Sequence, residues 1–133
     1  MADSAPVMPL PEEQQKLRTA VVTGADSGIG RAVAVALARD GLDVGITYRS
    51  DREGAEGTAA EIGRLGSVRT EVRQLDLTDL PSAPAVIDEF AEALGGIDVL
   101  VNCAGTGSAT RVEDMSFDEW REVLSVDLDG PFL

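Results

Sequence analysis

From Thr19 onward the chain alternates between two hydrophobic periods. Ala20-Val21-Val22 is a short apolar run rich in β-branched residues that stops at Gly24, the pattern of a strand covered on both faces. Ile29, Val33 and Leu37 then fall four apart with alanines between them, which puts them on one helical stripe, and Gly41 supplies a stop. The unit recurs in kind. Val44 to Tyr48 predicts a second strand, and Arg52 to Leu65 a second helix weakened by Gly54, Gly57 and Gly63. Val68, Thr70 and Val72 alternate toward Asp76 as a third strand, and Val86, Ile87, Phe90 and Leu94 form the next helical stripe, closed by Gly95-Gly96. Ile97 to Val101 predicts a fourth strand, and Ser116 with Glu119 has the spacing of a capping box ahead of Phe117, Trp120 and Leu124. Strands alternating with helices at this spacing imply a parallel sheet with right-handed crossovers, an α/β fold.

Residues 1–18 lack any such period: Pro6, Pro9 and Pro11 precede Glu12-Glu13-Gln14-Gln15-Lys16, and a flexible leader is expected there, leaving 19–133 as one domain. A length of 133 residues suits a single core. At the far end, Gly130-Pro131-Phe132-Leu133 has neither a helix cap nor a polar tail, so the chain is expected to stop within the architecture rather than after it.

Composition narrows the chemistry. Eleven basic against 24 acidic residues leave a net charge of -13, a field that repels phosphate backbones and anionic lipid, so nucleic acid is excluded as the expected partner. An anionic cofactor can still bind where a helix N-terminus and a local arginine outweigh the distant field. The chain has no histidine and one cysteine, Cys103, which removes Ser-His-Asp hydrolysis, zinc clusters and an intrachain disulfide; no metal site is expected. No basic n-region with an apolar core opens the chain, and no apolar run approaches the roughly 20 residues that span a bilayer. A cytoplasmic location without membrane contact is the expectation.

Three motifs sit at the carboxyl ends of predicted strands. Thr23-Gly24-Ala25-Asp26-Ser27-Gly28-Ile29-Gly30 joins the first strand to the first helix, where a pyrophosphate would meet free N–H groups and the positive helix end. Its spacing is G-x-x-x-G-x-G, not G-x-G-x-x-G. Glycines so placed could serve a tight turn alone, but their position directly after the first strand favours phosphate. Asp76-Leu77-Thr78-Asp79 follows the third strand, where Asp76 could do no more than cap the next turn. Asn102-Cys103-Ala104-Gly105 follows the fourth. At the end of the second strand, Tyr48-Arg49-Ser50 stands where dinucleotide folds often carry an acid for the ribose 2′-hydroxyl. With no carboxylate there, Arg49 can offer a forked donor pair and Ser50 a hydroxyl to a 2′-phosphate, so NADP(H) is preferred while NAD(H) stays open. The plainer alternative is a solvated surface arginine, and Ser27 weighs the other way because a basic residue is common at that loop position.

In this order the motifs resemble the T-G-x-x-x-G-I-G, strand-end Asp and N-N-A-G signatures of the short-chain dehydrogenases/reductases, across residues 19–133. The resemblance implies a Rossmann-type doubly wound parallel sheet, truncated here after about four strands. It implies a cofactor site built from Gly24, Asp26, Ser27, Gly28, Ile29, Gly30, Tyr48, Arg49, Ser50, Asp76, Leu77, Asn102, Ala104 and Gly105. Within it Asp76 would bind the adenine amino group with the Leu77 backbone against the ring, Asn102 would hold the sheet together, and Ala104 and Gly105 would pass the nicotinamide ribose. Cys103 replaces the second Asn and reads as a small buried residue rather than a nucleophile. The implied reaction is hydride transfer between a nicotinamide and a ketone or secondary alcohol, in a homo-oligomer when full length. Tyr48-Arg49-Ser50 and Met115 to Trp120 are similar to glucose-dehydrogenase-like and 3-oxoacyl-carrier-protein-reductase-like members.

Relatives lower a Tyr pKa with a Lys, polarise the substrate with a Ser, and anchor a relay water with an Asn. The Ser and the Tyr-x-x-x-Lys pair lie beyond position 133 in the family, and Tyr48 is on the wrong strand with Lys16 the only lysine. The family Asn falls in V-N-L-x-G, which here reads Val126-Asp127-Leu128-Asp129-Gly130; Asp127 is thus a candidate catalytic residue that departs from the pattern, since a carboxylate accepts but cannot donate as an amide does. The stretch is expected to bind cofactor and to be inactive alone. A reading from another class is a non-catalytic dinucleotide-binding or subunit-interaction module.

Overall fold

A computed structural model describes residues 17–133, so the leader expected over 1–18 lies, but for Leu17 and Arg18, outside the described residues. Four strands, β1 Thr19–Thr23, β2 Asp43–Tyr48, β3 Thr70–Gln74 and β4 Val99–Asn102, form one parallel sheet in the order β3-β2-β1-β4. The connecting helices are α1 Gly28–Arg39, α2 Arg52–Gly63 and α3 Ala83–Leu94, and α4 Phe117–Leu124 follows β4. The order means that the chain winds one way through β1, β2 and β3, then returns to the other side of β1 for β4. A crevice opens at that reversal, outside the carboxyl ends of β1 and β4.

Apolar alternation along the strands assigns the helices to faces. Ala20 and Val22 of β1 and Val44 and Ile46 of β2 point to one side, where they pack with Ala34, Val35 and Ala38 of α1 and Ala55 and Ile62 of α2. Val21 points to the other side and meets Phe90 and Leu94 of α3. Gly45 shares that second face because the Phe90 ring lies directly over it: a Cβ there would stand 2.5 Å from Phe90 Cδ1. Full burial of Phe90 contributes on the order of 1.5–3 kcal/mol. The sheet is covered on both faces, and the doubly wound expectation holds.

Boundaries differ from the predicted ones by about two residues, each for a visible reason. β4 begins at Val99, not Ile97, because Asp98 is engaged with the start of β1: its Oδ2 accepts from Arg18 N at 2.7 Å and Thr19 N at 3.1 Å. β3 begins at Thr70, not Val68, since Arg69 is tied sideways to Asp43, with its N–H donating to Oδ1 at 2.7 Å. α2 ends at Gly63 rather than Leu65 because the last turn tightens to three-residue bonds, Leu65 N to Ile62 O at 3.0 Å and Gly66 N to Gly63 O at 3.1 Å. Ser116 does cap α4, accepting from Glu119 N at 3.1 Å, but the Glu119 carboxylate turns away from the cap to Ser108 and Thr110, so only half of the box forms. Beyond Leu124 the helix widens into a π-helical segment, Ser125–Asp129, followed by one turn at Gly130–Phe132; no hydrophobic period announces that widening.

Candidate dinucleotide site

The turn between β1 and α1 is shaped by two glycines with positive φ, Gly24 at 63° and Gly28 at 55°. Gly24 lies against the loop after β4, where a Cβ would stand 2.8 Å from Ala104 Cα. Gly30 is closer still, since its Cβ would stand 2.3 Å from Gly24 O. Gly28 is the opposite case: nothing lies within 4 Å of the position its Cβ would take, and the residue lines the crevice. Ser27 occupies the N-cap in extended backbone without using its hydroxyl as a cap. The N–H groups of Gly28, Ile29 and Gly30 meet no acceptor among the described residues, and the first helical bond of α1 runs from Arg31 N to Ser27 O at 3.2 Å. Three donors and the positive helix end therefore face the crevice.

That crevice has a volume of about 390 Å³ and is lined by Gly24, Asp26, Ser27, Gly28, Ile29, Gly30, Arg49, Ser50, Ala104 and Gly105, so ten of the sequence-predicted site residues come together in it. A slot of about 40 Å³ beside it is bounded by Arg49, Asp76, Leu77, Ala104 and Gly105. Asp76 carries out the turn-capping role: its Oδ1 accepts from Thr78 N at 2.9 Å and from Thr78 Oγ1 at 2.7 Å. Those two bonds, and to a lesser degree the charge of Arg49, hold its carboxyl below the usual carboxylate range. Arg49 Nε stands 3.8 Å from that same oxygen, and Arg49 O is fixed by Gln74 Nε2 at 2.8 Å, so its backbone is anchored while its exposed side chain can turn.

Two predicted residues stand apart. Tyr48 is half-buried against the α1/α2 face of the core and does not line the crevice; only its carbonyl is engaged there, by Leu75 N at 2.8 Å. Asn102 is exposed and its side chain forms no hydrogen bond among the described residues. The tie between the motif loops is instead Thr23, whose Oγ1 accepts from Cys103 N at 3.1 Å and Ala104 N at 3.0 Å. Cys103 is half-buried and packs on the core. Asp127 sits in the π-helical segment with Oδ1 accepting from Thr106 N at 2.8 Å, next to Gly105, where a Cβ would stand 3.1 Å from the same oxygen. Sequence reasoning missed the buried hydroxyls of Thr47 and Thr58, which also reach the turn; the one signal was a polar residue inside an apolar strand and another inside a helix.

No helix among the described residues is long and apolar enough to cross a membrane. A family model described as short chain dehydrogenase matches residues 18–133. The chain is 48% identical over 116 residues to the uncharacterized oxidoreductase YohF of Escherichia coli (strain K12), covering 87% of this chain and 46% of that relative. Acetoin dehydrogenase YohF from Salmonella typhimurium superposes with a TM-score of 0.82 at 45% identity, over 89% of this chain and 46% of that one. A short chain dehydrogenase from Burkholderia cenocepacia J2315 in complex with NADP superposes with a TM-score of 0.82 at 39% identity, over 86% of this chain and 46% of that one. The chain thus spans less than half the length of each of these relatives.

Proposed function

Because this chain belongs to the short chain dehydrogenase family, we propose that it is the cofactor-binding portion of an oxidoreductase that prefers NADP(H) and moves hydride between the nicotinamide and a ketone or secondary alcohol. The observation that carries this reading is the convergence of the α1 N-terminus and Arg49 on one crevice. A dinucleotide needs its pyrophosphate and its adenosine ribose held at once, and these groups supply both.

The residues present fit the cofactor. The open side of Gly28 and the N–H groups of Gly28, Ile29 and Gly30 would receive the pyrophosphate. Arg49 and Ser50 would hold the 2′-phosphate, and Asp76 with the Leu77 backbone would border the adenine. The Arg49–Asp76 pair is long and exposed, and such pairs contribute about 0–1 kcal/mol, so Arg49 would leave Asp76 for a phosphate dianion at little cost. When bound, the cofactor supplies the hydride. Ala104 and Gly105 would pass the nicotinamide ribose, and Asp127 fixes that stretch by accepting from Thr106 N. In this role Asp127 positions the loop and donates no proton.

We infer a small hydroxyketone as the first substrate class to try, because the Salmonella relative is an acetoin dehydrogenase. Calorimetry should show NADPH bound roughly ten- to a hundredfold more tightly than NADH, the range set by one charge-assisted phosphate contact. Arg49→Asp should level or reverse that order. Equal affinities in the unaltered chain would remove the basis for the NADP(H) preference. With no Tyr-x-x-x-Lys among its 133 residues, this stretch should bind NADPH yet not oxidise it with acetoin or other ketones, and turnover above background would mean that its proton donor is elsewhere.

A further inference from the structure

We propose that Thr47 of β2 and Thr58 of α2 are positioning residues that aim the phosphate-binding turn, an inference that rests on the dinucleotide reading above. Neither belongs to the glycine motif, and both are buried, at 1% and 0% exposure. A turn that presents donors to a ligand must have its inward backbone groups satisfied by the protein, or it gains by rotating them toward water. These two side chains provide that satisfaction. Thr47 Oγ1 accepts from Gly24 N at 3.0 Å, and Thr47 O accepts from Ala25 N at 3.0 Å. Thr58 Oγ1 donates to Ala25 O at 2.8 Å.

Thr58 is a β-branched hydroxyl in mid-helix, where the ordinary resting partner is the carbonyl four residues back. That partner, Gly54 O, is 3.2 Å away, but the closer contact is Ala25 O, and a hydroxyl has one hydrogen to give. Among the described residues Thr58 is the donor that the Ala25 carbonyl meets. The packing around it is tight. A Cβ on Gly54 would stand 2.7 Å from Asp26 O, so the α2 backbone abuts the turn just where the hydroxyl reaches across. From Gly24 the constraint passes to α1, since Gly24 O lies in contact with Gly30. The direction of the N–H groups of Gly28 to Gly30 thus depends on hydroxyls from two neighbouring elements.

The test titrates the 133-residue chain with three ligands: NADP⁺, ADP, which has the pyrophosphate, and adenosine 2′-monophosphate, which lacks it. Thr58→Val keeps the shape and removes the donor. It should lose roughly tenfold in affinity for NADP⁺ and ADP, the effect of one buried unsatisfied carbonyl, while its affinity for adenosine 2′-monophosphate is unchanged. Thr58→Ser should restore both. Undiminished NADP⁺ affinity in Thr58→Val, or an equal loss for all three ligands, overturns the inference while leaving the dinucleotide reading intact. An unaltered chain that binds none of the three overturns both. If Thr58→Val does not fold, Thr47→Ala with Thr47→Ser as its control asks the same question from the β2 side and is read in the same way.

Discussion

Gly28 and Gly30 stand two residues apart and are needed for opposite reasons. Gly30 is enclosed: the 2.3 Å between its would-be Cβ and Gly24 O leaves room for hydrogen alone, so Gly30→Ala should force β1 and α1 apart and lower stability and nucleotide binding together. Gly28 is open, and its requirement is a φ of 55°, which a residue with a Cβ adopts at a cost of about 1–2 kcal/mol. Gly28→Val adds a branched side chain at a residue that lines the crevice, beside the N–H groups that the pyrophosphate would have to reach. We expect Gly28→Val to abolish NADPH binding while far-UV dichroism keeps most of its helical signal. Retained affinity in that variant would reduce Gly28 to a turn residue, and a lost helical signal would show that the strain reaches the fold.

At the scale of elements, the strands and helices were legible because the apolar residues of β1, β2, α1 and α3 recur at the period of their own element, although in α1 the buried stripe is Gly30, Ala34, Val35 and Ala38, while Ile29, which heads the predicted stripe, is exposed beside the crevice. The crevice residues were legible through motif order. What was not legible depends on side chains meeting across long sequence separations: Asp98 on Arg18 and Thr19, Thr58 on Ala25, Asp127 on Thr106. No local pattern encodes those pairings, nor the widening of the helix at Ser125. The capping box shows the same limit, because Ser116 behaves as its spacing implies while Glu119 is drawn to Ser108 and Thr110 in the loop after β4. Those hydroxyls, Ser108 first and then Thr110, lower the Glu119 pKa below its ordinary 4.5. A folded-state pKa that is depressed gives stability present above the unfolded value and lost as pH falls through the folded one. The stability difference between the unaltered chain and Glu119→Ala should therefore be constant above about pH 5.5 and shrink at lower pH, as urea unfolding at several pH values would measure. A difference that is flat down to pH 3 would mean that the loop is not anchored through the carboxylate.

For the whole molecule, the two edges of the sheet are built differently, and that contrast predicts how it associates. The β3 edge carries charge: Arg73 bridges Glu71 and Glu89, both at 3.1 Å, and lies 5.1 Å over the Phe90 ring. Inserting another strand there would strip several charges of their partners, one of the ordinary defences of an open edge. The β4 edge has no such guard. Val99, Leu100 and Val101 pair with β1 on one side only among the described residues, and Leu100 is 45% exposed. Phe132, at 86% exposure, and Leu133 add apolar surface close by, and with Leu77, Ile87 and Leu100 they border a hollow of about 310 Å³. Unpaired backbone beside apolar surface favours association, and a net charge of -13 opposes it over distances that salt shortens to about 10 Å at 0.1 M. Sedimentation of the 133-residue chain should accordingly show self-association that strengthens from 0.02 to about 0.3 M salt, as charge repulsion is screened. Leu100→Lys places a charge on the open strand and should return the chain to a monomer, whereas Arg73→Leu, on the guarded edge, should add a second mode of association. A chain that stays monomeric at every salt concentration would show that the β4 edge is protected by something other than side-chain charge.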